Sequence, residues 1–325
     1  MKALYIKAFG GPEVFEVREA ERPQPGPNEL LVRVHATSIN PVDIKIRQAG
    51  EWAGIEPPAI IGYDVSGVVE EVGPGVSNFK IGDAVYYSPL ISGESGSYAE
   101  YHAVDESIAA HKPEPLSHVE AAGLPLAGMT AWDGLIEKAA LKVGEAVLIH
   151  GAGGVGSLAL QLAKAAGAYV IVSCSGYMVE QVEALGADRA IDHAAADFTE
   201  VVMEETDGFG VDVVLDTVGG DLLTRSLPVT KPFGRMAGIV STDAGFQAAF
   251  HKNLTLYPTF MQRERFKLDA LRVLVERGEL QPVIDSVIAL EEIPEAQRRL
   301  WEEGGVRGKI VVKIVGDPDL TEEAN

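Results

Sequence analysis

The sequence predicts an α/β protein in two parts, a β-rich domain and a domain built on a doubly wound parallel sheet. Three observations carry that expectation. Up to about Ala122 the chain reads as short strands separated by Pro- and Gly-rich turns. From about Ala121 strand-like and helix-like stretches alternate. Near the middle, "VLIHGAGGVGSLALQLAKAAGAYVIVSCSG" reads as a strand, a glycine turn, a helix and a second strand.

In the first part, "ELLVRVHATSIN" sets Leu30, Val32, Val34 and Ala36 against Leu31, Arg33, His35 and Thr37, the period of a half-buried strand. "ERPQPGPNE", "EVGPGVSNF" and "KIGDAV" supply the turns. In the second part, "EAVLIH" precedes a helix over Ser157–Ala166, and "YVIVSC" precedes one over Val179–Leu185. Then come the strand "RAID", the helical "DFTEVVMEET", the strand "VDVVLD", the helical "DLLTRSLPVT" and the strand "RMAGIV", with "HKNLTLYPTF" as one more strand. After Met261 two helical segments alternate with "VIDSVIAL" and "GKIVVKIV". That tail is too short to fold alone and is expected to return to the first domain. The expected domains are therefore 1–122 with 262–325, and 123–261. "DPDLTEEAN" reads as a loose acidic tail.

Composition sets the bounds on function. With 46% hydrophobic and 23% charged residues, the chain folds around a sizeable core. Its 27 basic against 48 acidic residues give a net charge of −21, which repels a nucleic-acid duplex or an anionic membrane. No run approaches the ~18 apolar residues of a membrane span, and "MKALYIKAFGG" lacks an apolar leader core, so a cytoplasmic protein is expected. One cysteine, Cys174, excludes an internal disulfide and any multi-cysteine zinc site. The seven histidines are scattered, with no H-x-x-x-H pair, and there is no G-x-S-x-G elbow, so hydrolase readings fall away.

Gly151, Gly153 and Gly156 satisfy G-x-G-x-x-G between a β-branched strand and an Ala/Leu-rich helix, the setting of a dinucleotide site. The chain must turn sharply, admit a pyrophosphate to its backbone, and pack a helix on the sheet. Where units that bind NAD place an acid after the second strand, this chain has Ser173, Cys174 and Ser175. Two neutral hydroxyls accommodate a 2′-phosphate, which favours NADP(H); a tolerant site with little preference is the alternative. His193 and Arg189 are the nearest basic candidates.

Four motifs in order, "GYDVSGVVEEVGPGVSNFKIGDAVY", "LPLAGMTAWDGL", "LIHGAGGVG" and "GGVRGKIVVKI", make the chain resemble the medium-chain dehydrogenase/reductase superfamily over nearly its whole length. It is most similar to the zinc-free quinone oxidoreductase (zeta-crystallin-like) branch. The resemblance implies a GroES-like catalytic domain beside a Rossmann domain, an active site in the cleft between them, and a homodimer joined near Leu254–Leu256. At the positions of two zinc ligands in metal-dependent relatives stand Asn40 and Tyr63, so no metal is expected. Asn40, Pro41 and Asp43 are implied beside the nicotinamide, and Thr130 near its carboxamide. Gly151, Ala152, Gly153, Gly154, Val155 and Gly156 are implied at the pyrophosphate, Ser173, Ser175 and His193 on the adenosine side, Val218 and Ile239 along the groove, and Lys309 reaching in from the tail. A Lys that many relatives carry for the 2′-phosphate is Met178 here.

The function these features imply is NADPH-dependent, metal-free hydride transfer to a quinone or an α,β-unsaturated carbonyl, with Tyr63, Asn40 and Asp43 as candidate catalytic residues. "IRQAGEWAGIEPP", around Trp52, is expected as one pocket wall. The competing readings are a cofactor-bound binding or structural protein, and a zinc-free alcohol dehydrogenase, for which no Lewis acid would activate the alcohol.

Overall fold

The structure, a computed structural model, describes residues 1–92, 96–240 and 246–314; the acidic segment at 317–325 lies outside them. The chain forms two compact units, Met1–Leu126 with Arg263–Glu276 and Pro282–Asn325, and Ala127–Gln262 with Arg277–Gln281.

The first unit is β-rich, as expected. A seven-stranded sheet runs in the order Ile284–Ala289, Lys309–Lys313, Glu29–Ser38, Val65–Val72, Ala84–Tyr87 and Ala110–His111, with Tyr101–Asp105 also paired to Glu29–Ser38. A small sheet of Phe15–Glu19, Lys2–Ile6 and Ala59–Ile60 accompanies it. The strand Glu29–Ser38 departs from the half-buried pattern expected of it, since Leu31, His35 and Thr37 are as buried as the residues they alternate with. Its second face is covered: the His35 ring stacks on His118 at 4.5 Å, and His118, in the helical turn His118–Ala121, meets Ser66 Oγ through Nδ1 at 2.7 Å. The C-terminal strand Lys309–Lys313 lies antiparallel to the end of Glu29–Ser38, with Val312 opposite Thr37.

The second unit carries a six-stranded sheet in which every pair is parallel. Its order is Arg189–Asp192, Tyr169–Cys174, Ala146–His150, Val211–Asp216, Thr230–Gly238 and Thr255–Pro258, the 3-2-1-4-5-6 order of a Rossmann sheet. The order reverses between Ala146–His150 and Val211–Asp216, where ligands bind beyond the carboxyl ends of the strands. The first helix, Gly154–Ala165, starts three residues earlier than expected, within the glycine turn. The helix expected over "DLLTRSLPVT" is shorter, Leu222–Ser226, because Pro228 cannot donate to a helical ladder and the strand begins at Thr230. No helix among the described residues is long and apolar enough to cross a membrane.

Candidate active site

The glycine turn sits at the carboxyl end of Ala146–His150. Gly151 has φ +90°, a left-handed conformation, and a Cβ there would lie 2.5 Å from Thr217 Oγ1. A Cβ on Gly156 would lie 2.0 Å from the Gly151 carbonyl oxygen, whereas one on Gly153 meets nothing within 4 Å. Two of the three glycines thus allow the turn and helix to close, and the third leaves open space. Gly153 caps the helix without a side-chain bond, so Gly154, Val155 and Gly156 turn uncapped amides and the positive dipole end outward.

Beside the turn lies a groove of about 610 Å³. Gly151, Ala152, Ser173, Ser175, His193 and Val218 all line it, so six of the expected cofactor residues come together. Ser175 Oγ and His193 Nε2 are 3.3 Å apart. Gly153, Gly154, Val155 and Gly156, Thr130 in the helix Pro125–Trp132, and the half-buried Ile239 belong to the same unit but are not among the lining residues. Arg189 is also elsewhere: it opens its strand at the opposite edge of the sheet and pairs with Glu205 at 3.3 Å. A basic side chain that sequence reasoning missed takes its place. Arg225 lines the groove from Leu222–Ser226, over the Phe198 ring at 4.9 Å and 3.4 Å from Asp197. Its signal was position, since the loop after the fourth strand also faces the carboxyl edge.

Two neighbours of the groove are inert. Burial pushes the Cys174 thiol up to about 11, too high for a reactive thiolate. Burial, with the Arg225 charge, pushes His150 down to about 4. His150 bonds Ser226 Oγ through Nε2 at 2.8 Å and packs edge-on against Phe198 at 4.7 Å, which makes it a packing residue.

The remaining candidates lie in the first unit. Asn40 precedes the helix Pro41–Ala49, with Pro41 at the position where a missing N–H costs nothing. The Asn40 amide N–H donates to Asp43 Oδ2 at 2.8 Å, and the Tyr98 hydroxyl donates to the same oxygen at 2.7 Å. Asp43 therefore holds the start of the helix. The Asn40 side chain donates through Nδ2 to Asp64 Oδ2 at 2.7 Å, and its Oδ1 accepts from Lys309. Lys309 also donates to the Ile39 carbonyl at 3.1 Å and lies 3.3 Å from Asp64 Oδ2. The lysine expected to reach the cofactor is buried here, with three acceptors for its three N–H groups. Asp64 was missed, although a lone acid in the apolar run "AIIGYDVSGVV" is itself a signal of a buried partner. Tyr63 is 1% exposed within the apolar core of this unit. Burial, then the Asp43 charge, raises its phenol well above the usual range. Trp52 is 57% exposed.

Asp43 carries a pH signature. Burial raises it to about 7, against the lowering effects of the Tyr98 and Asn40 bonds. Unfolded, the same carboxyl titrates near ~3.9. Between these values the folded state holds the extra proton, so this group weakens the fold as pH rises from about 4 to about 7. The melting temperature of Asp43→Asn relative to the unsubstituted protein is expected to rise across that window; an unchanged difference would overturn the assignment.

Comparison with known proteins agrees with this anatomy. Residues 26–114 match the alcohol dehydrogenase GroES-like domain, and 185–312 match a family described as zinc-binding dehydrogenase. A mitochondrial NAD(P)H oxidoreductase of Danio rerio is 31% identical over 90% of this chain and 85% of its own length. A 2-methylene-furan-3-one reductase of Solanum lycopersicum is 35% identical over 96% of this chain and 79% of its own. The solved quinone oxidoreductase of Coxiella burnetii superposes with a TM-score of 0.88 at 35% identity, over 97% of this chain and 99% of that one.

The chain belongs to the medium-chain dehydrogenase/reductase superfamily. Its relatives within the superfamily include quinone oxidoreductases and an enone reductase, which makes it an oxidoreductase and points to a nicotinamide cofactor. The zinc in the matched family's description is a separate matter, and the side chains here do not suit it. At two ligand positions stand an amide and a buried phenol, and the Lys309 ammonium already occupies the acceptor atoms of Asn40 and Asp64. Among the described residues, no three His, Cys, Asp or Glu side chains gather as metal ligands. The second unit does suit a dinucleotide, with a groove lined by Gly151, Ala152, Ser173 and Ser175, and open space at Gly153 where the helix begins with uncapped amides.

Proposed function

We propose that this protein is an NADPH-dependent, metal-free reductase of quinones or α,β-unsaturated carbonyls. The observation that carries the reading is the donor set at Asn40 and Tyr63, hydrogen-bond donors where a metal-dependent relative would hold a Lewis acid. Such donors suit an acceptor that is already electrophilic. They are poorly suited to generating an alcoholate from an alcohol at neutral pH. The name of the tomato relative, which specifies a methylene ketone, is in keeping with this class.

A bound reduced nicotinamide supplies the hydride. The amides of Gly154, Val155 and Gly156 hold the pyrophosphate, and Ser173, Ser175 and His193 receive the 2′-phosphate, with Arg225 adding positive charge to the groove. As charge builds on the acceptor oxygen, the Asn40 Nδ2–H and the Tyr63 phenol stabilise it by hydrogen bonding. The edge strand Thr255–Pro258, paired on one side in the sheet, is the proposed seam of a homodimer.

Cofactor fluorescence titration and steady-state turnover test this reading together. NADPH is expected to bind more tightly than NADH and to be oxidised by a panel of quinones and enones. Ser175→Asp is expected to weaken NADPH selectively, because a carboxylate repels the 2′-phosphate. Tighter NADH binding defeats the cofactor assignment, binding without turnover favours a structural role, and alcohol oxidation favours the alcohol dehydrogenase.

A further inference from the structure

We propose that Lys309 is a positioning residue: it acts through Asn40, locking the carboxamide so that Asn40 presents only an N–H donor. This inference rests on the reductase reading above, in which Asn40 stands at the reacting end.

The arrangement begins with strand pairing. The Ile39 amide donates to the Ile310 carbonyl at 2.9 Å, which carries Lys309 alongside Ile39 and Asn40 although they are about 270 positions apart in the chain. Lys309 is 4% exposed and Asp64 is fully buried, so both charges are withdrawn from water. The ammonium has three N–H donors and meets three acceptors, the Ile39 carbonyl, Asn40 Oδ1 and Asp64 Oδ2. No N–H is left over for a cofactor.

The consequence falls on Asn40. An asparagine amide can ordinarily be turned over without changing its shape, and its orientation follows from its partners. Here the partners leave one answer. A lysine ammonium only donates, so it must face Oδ1; the Asp64 carboxylate only accepts, so it must face Nδ2. One of the two Nδ2 hydrogens is spent on Asp64, and the other remains to donate. The cation on Oδ1 draws electron density from the amide and strengthens that remaining donor. Asp64 in turn is fully engaged, accepting from Ser38 Oγ, Asn40 Nδ2 and Lys309 at Oδ2 and from the Leu126 amide at Oδ1. The buried pair thus acts as a jig that sets one hydrogen-bond donor.

The test uses Lys309→Met and the double variant Lys309→Met/Asp64→Asn. The single variant leaves the buried Asp64 without its cation and is expected to be less stable. The double variant removes both charges and is expected to recover much of that loss, so it isolates positioning from folding. In the double variant kcat for an enone is expected to fall roughly 10- to 100-fold, with the Kd for NADPH within about twofold of the original. A crystal structure of the double variant is expected to show the Asn40 carboxamide rotated away from its present place. An unchanged kcat with Asn40 unmoved overturns the proposal. So does a weakened NADPH affinity without loss of kcat, which would make Lys309 a cofactor contact. If the unsubstituted protein binds no nicotinamide and reduces neither quinone nor enone, the functional reading falls, and the position of Asn40 in the double variant still decides this inference.

Discussion

Tyr63→Phe is expected to lower kcat for an enone by about 10²-fold or more, the scale of one positioned donor, and to leave NADPH affinity unchanged. The phenol is 1% exposed, and burial together with the Asp43 charge raises its ionisation well above the usual range. Two consequences follow. The phenol remains protonated at any pH where the enzyme works, so its loss should lower the pH–rate profile without moving its inflections. A phenol so reluctant to ionise is also a poor source of a full proton, so on the proposed reading it would stabilise the developing oxyanion by hydrogen bonding and water would supply the proton. Steady-state rates on one enone and one quinone, with cofactor titration, check this. Turnover at the original rate would make Tyr63 a core residue only.

Gly156→Ala and Gly153→Ala are expected to fail in opposite ways. The Cβ of Ala at 156 would stand 2.0 Å from the Gly151 carbonyl oxygen, a contact that backbone must move to relieve. The expected cost is about 1–3 kcal/mol of stability, and cofactor affinity is lost with the turn. A Cβ at 153 meets nothing within 4 Å, and φ there is an ordinary −71°, so stability should be unchanged. It would, however, stand in the space through which a pyrophosphate reaches the backbone. Dinucleotide affinity is expected to fall at least tenfold, about 1.4 kcal/mol. Thermal melts and fluorescence titration of both variants separate the two roles. Equal melting temperatures for the pair would refute the steric argument, and unimpaired binding by Gly153→Ala would place the pyrophosphate elsewhere.

The two sheets were legible for different reasons. In the Rossmann unit the signals are local: a glycine that must turn left-handed, a β-branched run, an Ala/Leu-rich helix. Strand order then follows from the right-handed crossovers of parallel sheets. The strand Glu29–Ser38 was misread as half-buried because its second cover, the helical turn at His118, arrives some eighty residues later and leaves no local trace. The candidate site divides the same way. Ser173, Ser175 and the glycines follow from position along one βαβ unit, and Asn40 and Tyr63 from resemblance to a family. Arg225 and Asp64 were missed because each acquires its meaning from a partner far along the chain. Lys309 was noticed without its partners within the chain, since only the strand register at Ile310 brings it to Asn40.

That register also orders events during synthesis. The Rossmann sheet is built from one uninterrupted run, 146–258, and all its strands have emerged before the tail is made. The seven-stranded sheet must wait. Its strand Glu29–Ser38 gains Val65–Val72 and Tyr101–Asp105 as neighbours early, but one side of its end, Ala36–Ser38, lacks a partner until Lys309–Lys313 emerges. For most of that interval the short edge of Ala36, Thr37 and Ser38 stands unpaired on the nascent chain, which is when such an edge most easily recruits a wrong strand. The last strand to arrive both seals that edge and delivers Lys309 to Asn40. On the proposed reading, a chain cut short before residue 309 would complete its Rossmann sheet and still lack the Lys309 contact that sets the Asn40 donor.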